Sequence, residues 1–174
     1  MKWICKGLYP SKVGKHGGKR LMKDAMNVRI RLRTENGQIP KVPTYATSGA
    51  AGADLYACIA QEVVLKPGES KAIPTGISIE LPGPHVVALI FARSGLAAKN
   101  QISLTNAVGV IDSDYRGEIR VLLINHGQEE FIIHPGDRIA QIVFMPVFRP
   151  TFEIAEALSE TERGEGGFGS TGIR

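Results

Sequence analysis

Short runs of β-type residues, each closed by a turn rich in Gly or Pro, follow one another along most of this chain and leave it little choice but a sheet. They begin at VRIRLR (28–33), where Val28, Ile30 and Leu32 alternate with Arg29, Arg31 and Arg33, the period of a half-buried strand. ADLYACIA (53–60), EVVLK (62–66), KAIPTGISIEL (71–81) and HVVALIFA (85–92) come next. VGVID (108–112), EIRVLLIN (118–125), EFIIH (130–134) and RIAQIVFMPVF (138–148) complete the series. KPGE, LPGP, NHGQ and HPGD stand between runs, where Gly and Pro let the backbone reverse. Helical periodicity is almost absent. The pattern predicts an all-β, jelly-roll-like antiparallel β-sandwich.

One short helix is expected in SGLAAKN (94–100), with Ser94 as cap and Lys99 and Asn100 suiting its carboxyl end. Beyond Pro150, TFEIAEAL reads as a further strand, and the Gly-rich RGEGGFGSTGIR after it cannot build a core. The chain therefore divides into a basic extension (1–26), a β core (27–150), and a C-terminal strand and arm (151–174).

Charge separates along the same boundary. The formal net charge is +4, from 21 Lys and Arg against 17 acids. Residues 1–26 hold seven of those bases and only Asp24 among the acids, so the remainder is mildly acidic. The basic character belongs to the extension, which is expected to be disordered and to make at most weak nonspecific contact with nucleic acid. No apolar run approaches the roughly 20 residues of a membrane-spanning helix. Two cysteines, Cys5 and Cys58, are too few for a disulfide framework and show no metal-ligand spacing. A reducing compartment, cytoplasm or nucleus, is the expectation.

Three places carry candidate chemistry. Asp54, Asp112 and Asp114 lie at strand ends. DSDY (112–115) fits an acidic β-turn, yet the apolar approach AVGVI would carry Asp112 to the edge of a buried pocket, where a carboxylate can act as general base on water. Arg93-Ser94-Gly95 offers a guanidinium fork, a hydroxyl and helix-opening amides to an anion. GGFGSTG presents exposed amides and the Ser170 and Thr171 hydroxyls but lacks the GK[ST] ending of a P-loop. Phe168 among these glycines suits stacking on a flat ligand.

In order, AGADLYA (51–57), ARSGLAAKN (92–100), NAVGVIDSDYRGEI (106–119), GDRIAQIVF (136–144) and RGEGGFGSTG (163–172) resemble the five motifs of the trimeric dUTPase family. SGLAAK and DSDYRGE separate the chain from dCTP deaminases, which share that fold. The resemblance implies a homotrimeric jelly roll with three active sites at subunit interfaces. It also implies Mg2+-dependent hydrolysis of dUTP to dUMP and pyrophosphate, with Mg2+ held by substrate phosphates and water and by no direct protein ligand.

Carried over by position, Asp112 resembles the carboxylate that activates water and Gln141 the glutamine that helps place it. Asp54 matches an acid near the sugar and the metal's hydration shell. Arg93, Ser94 and Gly95 match the phosphate contacts, Asn106 and Gly109 the hairpin that reads uracil, and Tyr115 the ring beneath deoxyribose. Arg163, Gly169, Ser170 and Thr171 resemble a closing phosphate clamp, with Phe168 as a lid over the base. Ala92 and Gln101 depart from the family pattern, which usually has Pro and commonly Gly at these positions.

Overall fold

A computed structural model describes residues 26–34 and 37–167. The strands are β1 (Arg29–Leu32), β2 (Thr44–Tyr45), β3 (Ala53–Tyr56), β4 (Val63–Leu65), β5 (Ser70–Pro74), β6 (Ile77–Glu80) and β7 (Val86–Phe91). Helix α1 (Ser94–Asn100) comes next, then β8 (Ile102–Leu104), β9 (Gly109–Ile111), β10 (Arg120–Asn125), β11 (Phe131–Ile133) and β12 (Arg138–Pro146). A five-stranded sheet has the order β2-β3-β12-β7-β9, and a three-stranded sheet the order β5-β10-β8. The pairs β1-β6 and β11-β4 complete the fold. Every pairing is antiparallel, as the turn-punctuated sequence requires.

The sequence pattern explains the layers. Along β7, Val86, Ala88 and Ile90 are buried while Val87, Leu89 and Phe91 are half-buried. Along β10, Val121, Leu123 and Asn125 face inward and Arg120 and Leu122 outward. Buried hydrophobic side chains are all aliphatic, with Leu55, Leu65, Ile77 and Ile133 fully enclosed. Asn125 is the polar residue among the most enclosed side chains, and each of its polar atoms is bonded. Its Nδ2 donates to the Leu65 and Glu129 carbonyls, and Oδ1 accepts the Gly127 amide. In the turn before β5 the Glu69 carboxylate accepts the Lys66 amide and meets Lys71, contacts that hold its pKa below the ordinary carboxylate value.

Several expectations are corrected. KAIPTGISIEL is two strands, because Gly76 at φ +69° breaks the run; a Cβ there would lie 2.5 Å from the Pro40 ring. The alternation in VRIRLR does form a strand, but Ile30 and Leu32 remain 36% and 43% exposed because, among the described residues, β1 pairs with β6 alone and no layer covers it. TFEIAEAL forms no strand: Phe152, Ile154 and Leu158 stand exposed, since no strand among the described residues pairs with them. Ser94 is not the cap but the first residue of α1. Arg93 is the N-cap, in extended conformation, and makes no side-chain cap bond.

A bulge in β12 decides which of its side chains share a face. Arg138 lies opposite Tyr56, but Ala140 lies opposite Leu55 and Gln141 opposite Asp54. One extra residue, Ile139, is therefore accommodated on β12. In a regular strand Arg138 and Gln141, three apart, would point to opposite faces; the bulge brings them to the same face, the one Asp54 and Tyr56 share.

Candidate active site

Asp54 sits in the middle strands of the large sheet, its side chain only 12% exposed. Two guanidinium groups hold it. Arg93 Nε donates to Oδ1 at 3.1 Å, and Arg138 Nη1 donates to Oδ2 at 3.2 Å. Arg93 Nη1 also donates to the Arg138 carbonyl at 3.1 Å, so the two arginines are tied to one another as well as to the carboxylate. An open cleft of about 210 Å3 lies beside them, lined by Arg93, Leu96, Phe131, Asp137, Arg138 and Ile139.

Gln141 lies opposite both Asp54 on β3 and Phe91 on β7. Its Nε2 donates to the Ala92 carbonyl at 3.1 Å. The contact uses the backbone of residue 92, so Ala in place of Pro leaves it intact. Ser94 and Gly95 open α1 and are exposed, and no acid lies in its first turn. The first amides of a helix have no carbonyl partner within it, so this end presents N–H groups to an anion.

The second cluster lies on the β8–β9 connection and the turn after β9. Asn106 is exposed, and its carbonyl accepts the Val108 amide at 2.6 Å. Ala107 between them is held at φ +58°. Gly109 faces Ile90, where a Cβ would come within 3.1 Å. DSDY is indeed a turn: the Tyr115 amide donates to the Asp112 carbonyl at 3.2 Å. The Tyr115 hydroxyl donates to the Glu118 carbonyl at 3.0 Å, and its ring lies over Gly117, where a Cβ would clash with Oη.

Asp112 does not stand at the edge of a buried pocket. It is exposed on an open cleft of about 420 Å3 walled by Val86, Val87, Val110 and Val147. Its β9 neighbour Ile111 pairs with Ala88, so Asp112 is level with Val87, four positions along β7 from Phe91. With strands about 4.8 Å apart and residues rising about 3.3 Å each, Asp112 and Asp54 of one chain are separated by about 20 Å. The structure brings together Asp54, Arg93 and Gln141, and separately Asn106, Gly109, Asp112 and Tyr115. It does not bring the two groups together within one chain.

Arg163 is exposed and its Nε donates to the Gly166 carbonyl at 2.8 Å, a local turn remote from both clusters in the sequence. The expectations for Phe168, Gly169, Ser170 and Thr171, and for residues 1–25, lie outside the described residues. Sequence reasoning missed Arg138, although GDRIAQIVF contains it, because its partnership with Asp54 depends on the bulge. It also missed Gly52, which packs against Gln141.

No group of three or more His, Cys, Asp or Glu side chains among the described residues is placed to hold a metal ion. Asp54 has both oxygens engaged by arginine. Among the described residues, no helix is long and apolar enough to cross a membrane.

The fold and these two clusters define an antiparallel β-sheet protein that gathers paired arginines, a glutamine and the start of a short helix beside one carboxylate. The dUTPase family model matches residues 40–172. A deoxyuridine 5'-triphosphate nucleotidohydrolase of Desulfitobacterium hafniense is 60% identical over 134 residues, 77% of this chain and 89% of the relative. The enzyme of that name from Salmonella paratyphi B is 52% identical over 151 residues, 87% of this chain and 99% of its own. Among solved structures, the Staphylococcus bacteriophage 80alpha dUTPase G164S mutant with dUpNHpp is similar at a TM-score of 0.72 and 26% identity, covering 84% of this chain and 99% of the phage protein. The chain belongs to the dUTPase family.

Proposed function

We propose that this protein hydrolyses dUTP to dUMP and pyrophosphate, limiting uracil incorporation into DNA and supplying the precursor of dTMP. The observation that carries the reading is the arginine pair locked onto Asp54 beside Gln141, on the face where the first, second and fourth family motifs converge. Water attacks the α-phosphorus. Its oxygen forms the new P–O bond, the bond to the bridging oxygen breaks, and pyrophosphate leaves. Asp112 takes the proton of that water and Gln141 orients it. Arg93, Ser94, Gly95 and the α1 amides bind the phosphates. Mg2+ would be held by the substrate phosphates and water, with no direct protein ligand, and would supply the remaining charge neutralisation. Asp54 holds Arg93 and Arg138 in place and would lie near the sugar and the metal's hydration shell.

Asn106 and the backbone at Gly109 read the uracil edge, because a wrong donor and acceptor pattern leaves buried groups unpaired. Tyr115 packs under deoxyribose and excludes a ribose hydroxyl. Arg163, Phe168, Gly169, Ser170 and Thr171 close over the nucleotide and exclude bulk water.

The assembly is a homotrimer with sites shared between subunits. Two observations support this: Asp112 is about 20 Å from the Asp54 row of its own chain by strand geometry, and apolar side chains on β1 and at Phe152, Ile154 and Leu158 lack cover. Assaying pyrophosphate and ammonia together on dUTP, dTTP, dCTP and UTP tests the reaction. Pyrophosphate release confined to dUTP is expected, and ammonia from dCTP would overturn it. Sedimentation equilibrium tests the trimer.

A further inference from the structure

We infer that Gly52 is a positioning residue for Gln141: the absence of a side chain at residue 52 keeps the glutamine amide in its hydrogen-bonded place and leaves its oxygen open to a water. This role rests on Gln141 orienting the attacking water, as proposed for the reaction. A Cβ at residue 52 would lie 2.7 Å from Gln141 Oε1 and 3.3 Å from its Cβ and Cδ. Gly52 does not occupy the left-handed region, so its backbone accepts any L-residue and conformation alone gives no reason for glycine. What a methyl group would meet first is the Gln141 side chain, most closely at its flexible end.

The amide of Gln141 is anchored on its other side. Nε2 donates to the Ala92 carbonyl, the residue that joins β7 to Arg93. Oε1 is the amide's acceptor, the atom that can take a hydrogen bond from water, and it is the atom nearest the space above Gly52. A methyl group there both covers Oε1 and pushes the amide off the Ala92 carbonyl. Since the Gln141 side chain yields more readily than the strand, the fold survives and the catalytic geometry does not.

A double-mutant cycle tests this. Gly52→Ala is expected to lower kcat on dUTP at least tenfold with KM within about twofold, and with melting temperature and oligomeric state kept. In a Gln141→Ala background, itself impaired, the same change is expected to alter kcat by less than twofold. Equal losses in both backgrounds, or normal turnover by Gly52→Ala, would overturn the inference. Full turnover by Gln141→Ala alone would instead break the reading of Gln141, a distinguishable failure. If Gly52→Ala proves too unstable to assay, Gly52→Ser and a crystal structure of that variant serve. Gln141 Nε2 still within hydrogen-bond distance of the Ala92 carbonyl, with Oε1 uncovered, would refute the inference.

Discussion

The two clusters of the active site are held in opposite ways. Asp54, Arg138 and Gln141 lie on adjacent strands of the large sheet with Arg93 just beyond β7, and each is hydrogen-bonded to another member or to backbone. Asn106, Asp112 and Tyr115 lie on turns and are exposed, with Tyr115 43% accessible. The first cluster is preorganised by one chain, so it can bind charge without reordering. The second has its backbone set by tight turns but has no wall opposite it, and a carboxylate in open water is a poor place to position a single attacking water. In the proposed trimer a second subunit would supply that wall.

The sharpest way to break this contrast is to disable each cluster separately. Asp112→Asn should lower dUTP turnover by orders of magnitude while leaving the fold intact, because it removes the proton acceptor and little else. Mixing subunits carrying Asp112→Asn with subunits carrying Gln141→Ala should then recover part of the activity, since some mixed sites receive both intact residues. No recovery after verified subunit exchange would mean that one chain supplies both. Deleting residues 163–174 should reduce turnover by about a hundredfold or more with the trimer preserved, measured by single-turnover kinetics and sedimentation; normal turnover would dismiss the arm as a lid.

On the sheet side, Arg93→Ala leaves Asp54 with one guanidinium. A rise in KM for dUTP of tenfold or more should accompany a stability loss of about 1.5–3 kcal/mol in urea unfolding, the range for a hydrogen bond to a charged group. On the hairpin side, Gly117→Ala must displace the Tyr115 ring, and the ratio of dUTP to UTP turnover should fall severalfold with little change in melting temperature. The smallest effect is expected outside both clusters. Gln101 comes after α1 at φ +56°, the left-handed position that glycine commonly fills, so Gln101→Gly should stabilise the protein by up to about 1 kcal/mol in the same unfolding assay.

Much of the fold was legible along the chain. Helix α1 occupies the segment expected of it, because Leu96, Ala97, Ala98 and Lys99 favour helix and no β-branched residue interrupts SGLAAKN. Strand runs from EVVLK to RIAQIVFMPVF appear with trimmed ends, and β2 and β8 are too short to leave a periodic mark. Local pattern gave the strand at β1 but not its burial, and failed at TFEIAEAL; in both, apolar side chains lack a covering surface among the described residues. Periodicity records which side chains want burial, not which molecule buries them.

The site divides in the same manner. Residue identity and motif order named Asp54, Arg93, Asp112, Tyr115 and Gln141 as candidates, because the proposed chemistry calls for those functional groups whatever their surroundings. The helix, the turns and the aliphatic core were likewise determined by sequence alone, since they depend on spacing and backbone preference over a few residues. Only the tertiary structure paired Asp54 with two arginines, set Gln141 over a glycine, and held Asp112 on the far side of the sheet. Those depend on strand register, and a single extra residue in β12 decides which face Arg138 shares.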